Sequence, residues 1–158
     1  APFDINSTVR PNVTVVAIFQ NASGQQSPYA GVWGHDDGGY DRFLVAAGTG
    51  PEGAGISTGS KVLATPGVTS VGPRHVTAAV LRAGAGPDTS VVYLNGAKVT
   101  TFAEAHPNTG ATQLGIGTIE GPPASTLALY RGYISLIAVF DTPLSPADVK
   151  ALQTQLAP

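Results

Sequence analysis

Apolar positions along this chain come in short runs of strand length, broken by Gly, Pro, Asn and Ser, and no helical period appears until the C-terminal end. Val13 to Gln20 (VTVVAIFQ) is rich in β-branched residues and runs into NASGQQS, a turn composition. YAGVWGH and DRFLVAA flank a Gly-Gly cluster and predict a hairpin with an extended loop. GISTGSKVLAT is a further strand candidate, and HVTAAVLR and SVVYLNG flank the loop AGAGPDT. In YLNGAKVTTF, Asn95-Gly96 predicts a type I′ hairpin, because both residues tolerate positive φ. TQLGIGTI and RGYISLIAVF complete the set. Strand starts spaced by roughly ten residues predict an all-β antiparallel sandwich or barrel over about residues 13–140.

The helical period enters at LSPADVKALQTQL, predicting one short helix over about residues 146–156. Ser145 suits the N-cap, and Pro146 suits the first helical position, where its missing N–H costs nothing. Asp148 lies near the positive end of the helix dipole. Leu144 and Val149 have the spacing of a hydrophobic staple, and Val149, Leu152 and Leu156 line one face for docking on the sandwich.

VTVVAIF and YISLIAVF are apolar on both faces, whereas a strand in a two-layer sandwich usually wets one side. One explanation is cover by loops or by the terminal helix. The other is a contact with a further subunit or domain. With charged residues at only 11%, the second leads to the expectation of a larger assembly. The 158 residues, 1–158, are read as one domain with a core of its own.

The formal net charge is −2 and there is no basic patch, so nucleic acid is not the expected partner. No apolar run approaches a membrane span, so no membrane insertion is expected, and no signal-peptide pattern is present. Cys is absent, which removes disulfides, thiolate metal sites and cysteine nucleophiles. Met is absent too, and the first residue is Ala, so the chain starts after Met removal or is cut from something longer.

The order of motifs in HVTAAVLR…SVVYLNGAKVTTF…LGIG…YRGYISLIAVFDTPLSPADVKAL resembles the laminin-G-like, concanavalin-A-like lectin and glucanase jelly-roll superfamily found in bacterial and phage surface proteins. The likeness covers about residues 75–156, and His75 opens a strand in keeping with that pattern. Leu136 departs from it, standing where relatives often carry Glu, which favours a covered outer face. The resemblance implies two curved antiparallel sheets, and function only loosely, since such folds carry lectins, glycanases, adhesion modules and virion parts.

Glycoside hydrolysis needs two carboxyl groups flanking the scissile bond. Glucanases of this superfamily carry them as a short acidic signature on one strand. Here Glu52, Glu104 and Glu120 are each isolated in loop stretches, so no such pair is supplied. No G-x-S-x-G elbow occurs, and His35, His75 and His106 lack zincin spacing.

The densest polar stretch is GHDDGGYDRF, residues 34–43. As a calcium site it offers Asp36, Asp37 and Asp41 as oxygen ligands. As a plain hairpin loop it needs the same residue types, and that reading takes precedence. As a ligand surface, Tyr29, Trp33 and His35 share one face by the two-residue period, with Tyr40 and Arg42 at its edge; an aromatic floor with polar neighbours suits a sugar. Against it stands Trp33 as a central core residue.

The first functional expectation is a non-enzymatic recognition module that binds carbohydrate or another cell-surface polymer. Its setting would be extracellular or a virion surface. The Ala-, Pro-, Gly- and Thr-rich, Lys-poor composition resembles proteins of GC-rich bacteria and their phages, making a phage tail or adsorption component a carrier. The second is a ligand-free capsid decoration or tail subunit, and the third a glycan hydrolase.

Overall fold

In a computed structural model, residues 4–22, 29–36, 40–47, 54–105, 113–119 and 129–156 are described. Along them run β1 (Asn12–Asn21), β2 (Ala30–His35), β3 (Arg42–Ala47), β4 (Gly55–Ser57) and β5 (Val62–Ala64). There follow β6 (Arg74–Arg82), β7 (Ser90–Leu94), β8 (Ala97–Phe102), β9 (Gly115–Ile116), β10 (Gly132–Phe140) and α1 (Pro146–Leu156). They form two five-stranded antiparallel sheets, ordered β10-β1-β6-β7-β8 and β5-β4-β3-β2-β9. This is the all-β antiparallel architecture with one C-terminal helix that the strand spacing predicts, in the two-sheet jelly-roll form that the resemblance over residues 75–156 implies.

Alternation decides which residues fill the space between the sheets. Val13, Val15, Ala17 and Phe19 of β1 point inward, joined by Ala79 and Leu81 of β6 and Val92 of β7. Trp33, Leu44, Ala46 and Ile56 face them from the second sheet. Ile5 also enters this core, so the segment before β1 belongs to it. A turn around Asn6 shapes that entry, with the Thr8 N–H donating to Asn6 Oδ1 at 2.8 Å and the Arg10 N–H to the Asn6 carbonyl at 2.7 Å.

The two-faced strands are explained by α1. Its Val149, Leu152 and Leu156 pack on Val16, Ala78, Val80, Tyr93 and Ala138, the outer face of the first sheet. Ser145 Oγ accepts the Asp148 N–H at 3.2 Å while Asp148 Oδ2 accepts the Ser145 N–H at 3.3 Å, a reciprocal cap. Gln153 was not legible as an anchor, yet it is 2% exposed. Its Nε2 donates to the Val76 carbonyl at 2.9 Å, and its Oε1 accepts the Gly96 N–H at 2.9 Å. The β7–β8 turn is the expected one, with φ of 49° at Asn95 and 85° at Gly96.

The second sheet is covered on its outer side as well. After β9 the chain turns at Gly117 and carries Ile119 over β2. A Cβ on Gly31 would lie 2.4 Å from Ile119 Cγ2, and one on Gly34 would lie 2.4 Å from Ile119 Cα. Only glycine permits so close a crossing.

Candidate ligand-binding cleft

The residues predicted to form an aromatic platform do not lie together. The β2–β3 register shifts between Ala30 and Gly31 and again between Gly31 and Trp33, which breaks the two-residue period. Tyr29 therefore packs with Phe43 and Val45 on the outer side, and Trp33 lies 0% exposed between the sheets. Its indole Nε1 meets no acceptor among the described residues. His35 is likewise interior, with Nε2 2.9 Å from Asp4 Oδ1. Tyr40 is half-buried at φ 65°, its ring centre 6.4 Å from that of Phe43. The expected flat floor of Tyr29, Trp33 and His35 is thus divided between two faces, because an irregular strand does not keep strict alternation.

Of the three aspartates considered for calcium, Asp36 is half-buried, Asp41 is buried, and Asp37 lies outside the described residues. Among the described residues no group of three or more His, Asp and Glu could hold a metal ion.

Arg42, expected at the edge of a binding surface, is instead a fully enclosed pin. Its Nε and Nη2 donate to Glu104 Oε1 and Oε2 at 2.5 and 3.1 Å. Nη1 donates to the Ile5 carbonyl at 2.9 Å and to that of Arg10, and Nη2 donates to the Pro11 carbonyl at 2.9 Å. All five guanidinium donors are engaged. The pair joins β3 of one sheet to the chain just beyond β8 of the other and clamps the N-terminal segment between them. Glu104, read from sequence as an isolated loop acid, is structural.

Other carboxylates are similarly engaged. Asp148 caps α1, Asp141 pairs with Arg10, and Asp4 Oδ1 accepts the Asn6 N–H at 2.6 Å. Tyr130 donates its hydroxyl to Asn21 Oδ1 at 2.9 Å and meets Phe19 edge-on. Burial pushes its pKa well above the ordinary tyrosine range.

An open cleft of about 370 Å³ lies elsewhere, on the outer face of the first sheet beside the start of α1. Alternation on β6 puts Val80 and Arg82 on the outer side after Ala78, and β7 adds Val91 and Tyr93. Leu144 and Pro146, held by the helix cap, form one wall. The β6–β7 turn supplies Asp88 and Thr89 on the rim. Asp88 takes φ 57°, and its Oδ1 accepts the Thr101 hydroxyl at 2.8 Å.

Arg82 is the unusual member. It is half-buried, its Nε is shut off from water without an acceptor, and no carboxylate among the described residues pairs with it. The buried Nε of this cation therefore lacks an acceptor among the described residues. Nothing in the sequence reading singled out Arg82, Asp88, Thr89 or Tyr93. The alternation Ala78-Val80-Arg82 was the available signal. The helix that turns the site into a cleft arrives from more than sixty positions along the chain, by the difference between Pro146 and Arg82.

No protein-family model and no curated protein sequence matches the chain. Solved structures do. The heptameric SAP-like pentraxin of Limulus polyphemus superposes with a TM-score of 0.62 at 16% identity, over 90% of this chain and 70% of that one. Domain 4 of AbnA, a GH43 extracellular arabinanase of Geobacillus stearothermophilus solved with arabinotriose, gives 0.59 at 15%, over 90% and 66%. The CBM40 of Ruminococcus gnavus IT-sialidase, bound to alpha2,3 sialyllactose, gives 0.58 at 16%, over 93% and 86%. Two of these three, the arabinanase domain and the CBM40, are solved with a sugar bound. At these identities the likeness establishes the two-sheet jelly-roll sandwich fold alone. Among the described residues no helix is long and apolar enough to cross a membrane.

Proposed function

We propose that this domain is a non-enzymatic glycan-binding module, of the laminin-G-like kind, working outside the cell. The observation that carries the reading is the cleft on the outer face of the first sheet. Its volume of about 370 Å³ falls in the range of small-ligand sites, roughly 300–1,000 Å³. Tyr93, Val80 and Pro146 supply apolar surface for a sugar ring, and Arg82, Asp88 and Thr89 supply donors and acceptors for hydroxyl groups. Domains of the same fold solved with arabinotriose and sialyllactose support it. The engaged state of Glu104, Asp141 and Asp148 supports a binding rather than a cleaving role.

A glycan array is the test. Retention of at least one glycan class, with loss on Tyr93→Ala in a variant that still folds, is the expected result. A clean array would sink the reading. Running it with and without chelator tests the further proposal that Asp36, Asp37 and Asp41 take a calcium ion. Release of reducing sugar from any retained polymer would overturn the non-enzymatic assignment.

A second reading, a structural subunit of a virion or similar assembly, is favoured by β10. This strand forms the outer edge of its sheet, runs for nine residues without a charge, and leaves Tyr133 71% exposed. Such an edge is a template for pairing with another chain. Light scattering on the purified domain separates the readings: a monomer at high concentration removes the support for assembly.

A further inference from the structure

We infer that the cleft selects a sugar bearing a carboxylate, a uronic-acid or sialic-acid type of residue, and that Arg82 is the group that recognises it. The inference rests on the glycan-binding reading above and narrows it. A neutral sugar would be served by hydroxyl-bonding groups alone, such as Thr89 and Asp88. The cleft contains a guanidinium in addition, and no carboxylate among the described residues balances it. Nε is buried without an acceptor, and no described carboxylate lies within ion-pair distance of the side chain. Asp88, which shares the rim, has its Oδ1 occupied by the Thr101 hydroxyl at 2.8 Å. Burial of part of a cation against Val80, Val91 and Tyr93 is unfavourable in the absence of a counter-charge. A ligand carboxylate supplies that counter-charge, and its two oxygens match the planar fork of a guanidinium. The ring that carries the carboxylate then meets the apolar floor.

The test is calorimetry of the whole chain with four probes: trigalacturonate, sialyllactose, lactose and a sulfated galactose. Carboxylated probes should bind at least tenfold more tightly than lactose, and Arg82→Met should erase that margin while leaving the thermal midpoint unchanged. Arg82→Lys keeps the charge without the fork and should retain only part of the margin. A preference for trigalacturonate or for sialyllactose identifies which acidic sugar the ring surface fits, and either supports the inference. Equal binding of lactose and the acidic probes, unaltered by Arg82→Met, overturns it and leaves the glycan-binding reading standing. Sulfated galactose bound as well as the carboxylated probes also overturns it. Binding of no probe, here and across the array, brings down both.

Discussion

Two arginines face opposite situations in this molecule. Arg42, between the sheets, has each of its donors engaged and both oxygens of Glu104 against it. Arg82, on the outer face of the first sheet, sits half-buried against apolar neighbours, and no carboxylate among the described residues pairs with it. The first arrangement is complete within the described chain, and the second is the one proposed to be completed by a ligand. A charged residue in a chain this poor in charge invites a functional reading, and the comparison shows why that is insufficient: what discriminates is whether the fold itself neutralises the charge.

The largest effect that could break the contrast is at the enclosed arginine. Arg42→Met leaves the buried Glu104 carboxylate without its guanidinium, so urea unfolding should show a loss of about 3–5 kcal/mol. Adding Glu104→Leu should restore only part of it, because the buried charge is removed while the Ile5, Arg10 and Pro11 carbonyls still lose their donors. A single substitution that costs nothing would show the pair to be solvated in solution.

A smaller effect is expected where the helix walls the cleft. Ser145→Ala removes an acceptor from the cap and should cost about 1 kcal/mol by thermal unfolding, with weaker glycan retention if Pro146 is part of the site. Unchanged retention would move the ligand away from that wall.

Tyr130 tests a neutral half-buried group against the two charged ones. Burial raises its pKa in the folded state above the unfolded value of about 10, so the folded form holds its proton longer. Its contribution is complete below pH about 10 and is lost as pH rises from there toward the folded pKa. Tyr130→Phe should cost about 1 kcal/mol near neutral pH through the lost bond to Asn21, and should flatten the alkaline loss. Parallel alkaline profiles for the two proteins would contradict this.

The smallest effect on stability is at the open arginine. Arg82→Met should shift the unfolding free energy by no more than about 0.5 kcal/mol in either direction, since no ion pair among the described residues is lost. A loss comparable to that of Arg42→Met would mean that Arg82 has a structural partner after all.

Much of the architecture was present in local pattern. The β-branched runs, Asn95-Gly96 and Ser145-Pro146 each state a backbone preference that neighbours satisfy, and the sheets, the tight turn and the capped helix follow. The candidate site was far less legible. Trp33 lies in the core, the alternative the sequence set against a binding role, whereas Arg42 looks like a binding residue in a one-dimensional reading until the remote Glu104 pairs with it. Arg82 looks like the polar end of a strand until Leu144 and Pro146 come to lie beside it.

The sequence by itself determined the class of fold, because strand period, turn chemistry and helix caps act between residues a few positions apart. Only the tertiary structure decided which charges are consumed and which remain available. Ion pairing and burial depend on groups brought together from distant parts of the chain, as Arg42 and Glu104 are across 62 positions.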